Sequence, residues 1–234
     1  MSDAAAVSAP PSAPPSAPPA ALAADLPATQ LDYLLDSYLF SGTARIVCAT
    51  ATELVLDRTL FHPQGGGQPS DVGTVRSADG AVRFAVTAAK KDSVGGDPHA
   101  PASSMRTIVR HAGAYESGAH FAVGDAVVLD VDERVRRLHA RLHSAGHLID
   151  VAMERAGYAL KAAKGSHTPE MAFVEYAGTL ESGEMEAARE RLQDICSTLI
   201  AEARPVSAVV VPFELLQDKC GFGASFISVL DSSC

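Results

Sequence analysis

Two stretches of this sequence carry side chains whose types and spacing could do chemistry. In Arg141-Leu142-His143-Ser144-Ala145-Gly146-His147-Leu148 two histidines stand four residues apart. On a helix such residues share a face, so His143 and His147 could both reach one metal ion. A pair of this kind also occurs on solvated or packed helix faces, and zinc needs a third protein ligand at least. His139 extends the row by a turn among Arg134, Arg136, Arg137 and Arg141. It reads as a boundary histidine on a polar helix end, whose arginines form a solvated face or hold phosphates.

The second stretch is Phe61-His62-Pro63-Gln64-Gly65-Gly66-Gly67-Gln68-Pro69-Ser70-Asp71-Val72-Gly73. Gly65, Gly66 and Gly67 remove every Cβ from a short loop, which allows positive φ and close backbone approach to a ligand. Taken alone, three glycines are also what a turn between two strands would use. Gln68 and Asp71 follow with an amide and a carboxylate, and Thr59 precedes the loop by a strand-like step. Several polar groups could therefore converge on one small substrate.

The elements that must hold these groups differ along the chain. From Ser41 to Asp132 short apolar or β-branched runs, at Ala44–Val47, Glu53–Leu56, Val82–Thr87 and Ala126–Val131, alternate with Gly, Asp and Ser clusters. The pattern predicts a small antiparallel β domain, barrel-like in form. At Asp132 the period changes: Val135, Leu138, Leu142, Ala145, Ile149 and Ala152 recur at helical steps with Asp132 as N-cap, predicting a helix to about Ala156. A second helical pattern covers Gly183–Ala203, with strands at Ala172–Tyr176 and Val206–Val211. The fold class is α+β. Its parts are an Ala/Pro-rich leader over 1–30, a β domain over 31–131, and a second domain over 132–234.

Composition excludes several classes. The 234 residues, 47% hydrophobic and 20% charged, suit a globular protein with a sizeable core. No run of about eighteen apolar residues could form a membrane-spanning helix. The leader, with its SAPPSAPPSAPP repeat, has two aspartates and no Lys or Arg. That is neither a secretory nor an organellar signal, so a cytoplasmic protein with an extended leader is expected. Cys48, Cys196, Cys220 and Cys234 show no paired spacing and are expected as thiols. A net charge of −9 argues against a large nucleic-acid footprint and leaves room only for local contacts.

FHPQGGGQPSDVGTV, RLHSAGHLID and KGSHTPEMAFVEY, in this order, resemble the alanyl-tRNA editing proteins, the AlaX family, relatives of the editing domain of alanyl-tRNA synthetase. The resemblance runs from about Leu31 to about Cys220. It implies a β domain carrying the glycine loop, then an α/β editing domain of the type shared by threonyl- and alanyl-tRNA synthetases. It further implies a trans-editing hydrolase that deacylates tRNA(Ala) mischarged with serine or glycine, using zinc to cleave the ester. The chemical need is real: serine and glycine differ from alanine by one hydroxyl or one methyl, worth only about 1–3 kcal/mol in a simple pocket. By the same resemblance His143 and His147 are zinc ligands. Gln68 and the backbone of Gly65, Gly66 and Gly67 line the aminoacyl pocket, and Thr59 hydrogen-bonds the serine hydroxyl. Asp71 serves the pocket or braces the loop, and His167 contacts the acceptor end or orders a loop. Zinc would activate a water or orient the substrate.

The family completes its zinc site with a later CxxxH. Here Cys220-Gly221-Phe222-Gly223-Ala224 carries alanine where the histidine should stand, and Cys234 is the last residue. Cys220 is thus the only further ligand to hand, and a chain that stops short of the metal pair is the expectation. Two alternatives follow: a tRNA-binding or regulatory module with impaired catalysis, or an unrelated HxxxH metallohydrolase, against which the missing HExxH glutamate and the GGGQ loop both weigh. Without a P-loop or room for an adenylate-forming domain, neither ATP binding nor alanine ligation is expected.

Overall fold

A computed structural model describes residues 26–94, 106–181 and 183–205. In chain order the elements are β1 (Gln30–Leu31), a 3-10 turn (Asp32–Leu34), β2 (Ser41–Ala49), β3 (Glu53–Leu56), β4 (Arg58–Thr59), β5 (Gly73–Ser77), β6 (Arg83–Val94), β7 (Arg106–Tyr115), β8 (Ala126–Val131), α1 (Glu133–Arg155), β9 (Lys161–Thr168), β10 (Met171–Ala177) and α2 (Met185–Ala201). Two compact units result. One holds the described residues up to Pro63 together with Ser70–Asp132, and the other holds Gln64–Pro69 with the described residues from Glu133 onward. The architecture is α+β, and no described helix is long and apolar enough to cross a membrane.

The first unit is a closed six-stranded barrel in the order β2-β3-β7-β6-β5-β8, every neighbouring pair antiparallel. Closure follows from β8, which pairs with β2 on one side, Ser41 opposite Asp130, and with β5 on the other, Thr74 opposite Asp130. Alternation along β8 sends Val127, Leu129 and Val131 inward, where they meet Ile46, Leu54, Phe61 and Phe84. Register shifts in β2 at Ile46/Cys48 and in β6 at Val86/Ala88 supply the local twist that a small barrel needs. Outside the barrel, the parallel pair β1–β4 is pinned by Asp32, whose carboxylate accepts Arg58 Nε at 2.7 Å and Nη2 at 3.1 Å.

The second unit lays α1 against the β9–β10 hairpin and α2 against α1. The boundaries of α1 fall within one residue of those the periodicity predicts, but its buried face differs. Of the predicted stripe Ala152 is buried, but Leu138 and Ala145 are exposed, whereas Arg136, His139, Gly146 and Met153 are buried. The physical reason lies at Gly146, which lacks the Cβ that would hold β9 away and so turns its own side of the helix inward. Strands β5, β7 and β9, and the two-residue β1 and β4, do not stand out in the sequence pattern. The strand expected at Val206–Val211 lies outside the described residues, as do Cys220 and Cys234.

Candidate functional site

The glycine loop closes on itself through paired backbone bonds: Gly65 N–H donates to Gln68 O at 3.1 Å, and Gln68 N–H donates to Gly65 O at 2.9 Å. Gly66 (φ 56°) and Gly67 (φ 78°) occupy the left-handed region between them, which side chains with a Cβ rarely adopt. This tight turn buries Gln68 to 5% exposure and aims its amide at α1.

There the Gln68 Oε1 lies 2.8 Å from His143 Nδ1. An amide oxygen only accepts, so Nδ1 carries the proton and the ring lone pair sits on Nε2. On the next turn, His147 Nδ1 approaches Asp150 Oδ2 at 3.5 Å, and the other oxygen of Asp150 accepts the Tyr176 hydroxyl at 2.6 Å. Burial, reinforced by the Asp150 hydrogen bond and charge, pushes the Tyr176 phenol well above its ordinary range. Both histidines of the HxxxH pair therefore turn Nδ1 towards an oxygen acceptor. Outer partners of this kind orient imidazoles that ligate through Nε2.

His167 joins them from β9. Its ring stacks on His143 with centroids 4.4 Å apart and planes 18° apart, and lies 6.4 Å from His147, while His143 and His147 are 5.0 Å apart. Burial, with a smaller push from His147, holds His167 below the usual histidine value, against Asp150 and a bond to the Leu142 backbone. The three imidazoles and Gln68 thus come from the three motifs singled out in the sequence.

Two other residues assigned to the pocket belong to the barrel unit. Thr59 is fully buried, its hydroxyl 2.8 Å from His111 Nε2 and accepting Phe61 N–H at 3.0 Å. His111 Nδ1 faces Leu54 O at 3.2 Å and must donate there, so Thr59 donates to Nε2. Asp71, also fully buried, clamps the base of the loop: its Oδ2 accepts His62 N–H at 2.6 Å and its own N–H donates to His62 O at 2.9 Å. The arginines of α1 divide, Arg134 and Arg141 exposed, Arg137 bonded to Glu133 at 2.7 Å, and Arg136 buried rather than solvated. His139 is buried too, at 7% exposure, not at a polar boundary. Asp150 and Tyr176 are the site residues that sequence reasoning missed. The signal was present in part, since Asp150 follows His147 by three residues on one helix face.

Through Gln68, His143 keeps its Nε2 lone pair, the donor that a metal ion would use. Among the described residues no group of three or more His, Cys, Asp or Glu side chains is arranged to hold one. Two histidines are donor types that zinc takes, but they fall short of the three protein ligands a zinc site needs.

A barrel unit and a helix–hairpin unit with imidazoles gathered at a glycine loop define an α+β protein with a histidine-centred site. Comparison with known proteins is more specific. The chain is 37% identical over 132 residues to the alanyl-tRNA editing protein AlaX-M of Methanosarcina mazei, covering 54% of this chain and 47% of the relative. It is 34% identical over 129 residues to AlaX-M of Methanosarcina acetivorans, covering 54% and 48%. It is 36% identical over 141 residues to the alanine–tRNA ligase of Kineococcus radiotolerans, covering 60% of this chain and 14% of the ligase. No family model matches the chain. The chain spans about half the length of the AlaX-M relatives and a small fraction of the ligases. On these similarities about half of the chain is AlaX-like.

Proposed function

We propose that the chain is a trans-editing hydrolase that deacylates tRNA(Ala) mischarged with serine, and with glycine, by zinc-dependent ester hydrolysis. The observation that carries this reading is the 2.8 Å contact between Gln68 and His143, which joins the glycine loop to the HxxxH pair. Backbone N–H groups of a turn with positive φ suit a carbonyl or phosphate oxygen, so the loop serves to cradle the aminoacyl ester beside the imidazoles. His143 and His147 would hold the metal through Nε2, with Gln68 fixing the tautomer of His143 and the Asp150–Tyr176 pair beside His147. When bound, zinc supplies Lewis-acid polarisation to ester hydrolysis. The exposed Arg134 and Arg141 are the side chains of α1 suited to phosphates of the acceptor stem.

A second reading, a tRNA-binding module with impaired catalysis, is supported by the lack, among the described residues, of three His, Cys, Asp or Glu side chains arranged to hold a metal ion. Both are tested by one measurement, release of serine from seryl-tRNA(Ala) and of glycine from glycyl-tRNA(Ala), with and without added zinc. The editing reading expects turnover that zinc raises, that spares alanyl-tRNA(Ala), and that His143→Ala lowers more than about a hundredfold, beyond the loss typical of an outer-shell partner. Binding of tRNA(Ala) with no turnover at any zinc concentration would establish the second reading in its place.

A further inference from the structure

Gly146 sits in the middle of α1, where glycine costs about 1 kcal/mol relative to alanine, and it has no positive φ to justify it. Its environment gives the reason. A Cβ at Gly146 would lie 2.5 Å from His167 Cε1 and 3.1 Å from Nδ1, inside any contact that two carbon atoms tolerate. Two further glycines wall the same ring. A Cβ at Gly165 would lie 3.2 Å from His167 Nε2, and one at Gly67 would lie 3.1 Å from Cδ2 and 2.7 Å from the Gly165 carbonyl oxygen. The three glycines come from three separate segments: the glycine loop, the HSAGH helix and the KGSH strand. Each motif gives up one side chain around a single imidazole.

What the seated ring does follows from its contacts. One face stacks on His143 at 4.4 Å, and the backbone N–H of His167 donates to Gly67 O at 2.9 Å. One residue thus touches both halves of the Gln68–His143 contact, the loop through its backbone and the helix through its ring. A Cβ at Gly66 would lie 3.4 Å from His143 Cε1, so the loop also limits where that ring can lie.

We propose that His167 is a positioning residue: seated between Gly67, Gly146 and Gly165, its imidazole is the plate that holds the His143 ring and the glycine loop in register. Its functional consequence rests on the editing reading, whereas its structural content does not. The role differs from contact with the acceptor end of tRNA, which would need an accessible ring. His167 is 6% exposed.

A bump-and-hole cycle in the full chain tests it. Gly146→Ala should lower Tm, although alanine is the better helix former, because the new methyl displaces the His167 ring. In the His167→Ala background the same substitution should be neutral or stabilising, since the space is then empty. Equal effects of Gly146→Ala in both backgrounds would overturn the seat.

The second readout is the imidazole proton–nitrogen spectrum of His143. Wild type should show the Nδ1–H tautomer fixed by Gln68, and His167→Ala should show a mixture of tautomers. A wholly unchanged His143 signal in a folded His167→Ala variant would overturn the positioning role. This arm stands even where Gly146→Ala fails to fold. In deacylation of seryl-tRNA(Ala), His167→Ala should lower kcat by about tenfold with little change in KM, as for an outer partner of a ligand. An unchanged kcat would remove the functional consequence. A wild-type chain without deacylase activity would instead sink the editing reading, while the cycle and the spectrum still decide the role of His167.

Discussion

The two units use histidine in opposite ways. In the barrel His111 is fully enclosed, with Nε2 taken by the Thr59 hydroxyl and Nδ1 by the Leu54 carbonyl, and it meets Phe61 edge-on at 5.4 Å. Burial drives its pKa down from 6.5 to about 4, so it is a neutral crosspiece of the core. In the second unit His143, His147 and His167 lie together; Gln68 sets the tautomer of His143, and His147 Nδ1 approaches Asp150 at 3.5 Å. An imidazole with both nitrogens bonded inside a hydrophobic core is structural. The imidazoles of the second unit instead stack on one another, with His143 held by Gln68 of the glycine loop. The difference between these regions is a difference in second partners, and residue type alone does not carry it.

The largest effect expected from this contrast is a pH dependence that belongs to the barrel. Above about pH 6.5 His111 is neutral in both folded and unfolded chains. Between 6.5 and about 4 the unfolded chain takes up a proton that the folded barrel refuses. Stability attributable to His111 is therefore complete above the unfolded value and is lost as pH falls towards the folded one. The total is on the order of 3 kcal/mol for a shift of this size. Denaturant titrations of wild type and His111→Leu across this range measure it. The variant should start less stable at neutral pH, because Thr59 and the Leu54 carbonyl lose their partner, but its decline on acidification should be shallower. Parallel declines in the two proteins would show that His111 is no such crosspiece.

Much of this arrangement was legible in the sequence, and the parts that were not have physical causes. The helical period places α1 well because apolar residues recur along it, yet the stripe it marks only partly matches the face that packs, since close approach at Gly146 is decided by a residue with no side chain. Strand β7 hides because its inward positions include His111, which breaks the apolar alternation. Strand β9 hides because Lys161–Thr168 is nearly devoid of β-branched residues and depends on its pairing with β10. The HxxxH pair and the GGGQ loop could be read as motifs. Only three dimensions show that Gln68 reaches His143 and that Thr59 spends its hydroxyl inside the barrel.

A smaller effect sharpens the other side of the comparison. Read from sequence, Gln68 belongs to the aminoacyl pocket, and Gln68→Ala should leave zinc content untouched. The contact with His143 changes that expectation: losing the acceptor on Nδ1 should weaken zinc affinity by about 10–100-fold, alongside any loss of deacylation. Competition with a chelating dye reads affinity directly, without reference to activity. Identical zinc affinity in wild type and Gln68→Ala would return Gln68 to the substrate side and leave the tautomer of His143 to other groups.

The smallest effect is the most discriminating, because the two readings of Thr59 predict different observables. If Thr59 hydrogen-bonds a serine hydroxyl, Thr59→Val should erode the preference for seryl- over alanyl-tRNA(Ala) and leave the fold alone. In the structure its single O–H is given to His111 Nε2 and its oxygen accepts Phe61 N–H, in a position with no exposed surface. Valine keeps the volume but strands a ring nitrogen and a backbone N–H in the barrel core. The cost should be about 1–2 kcal/mol. We expect denaturant midpoints to fall while the ratio of kcat/KM for the two esters is unchanged. The opposite pair of results, an intact midpoint with collapsed selectivity, would mean that the barrel contributes a substrate-binding hydroxyl, and that confining the chemistry to the second unit is wrong.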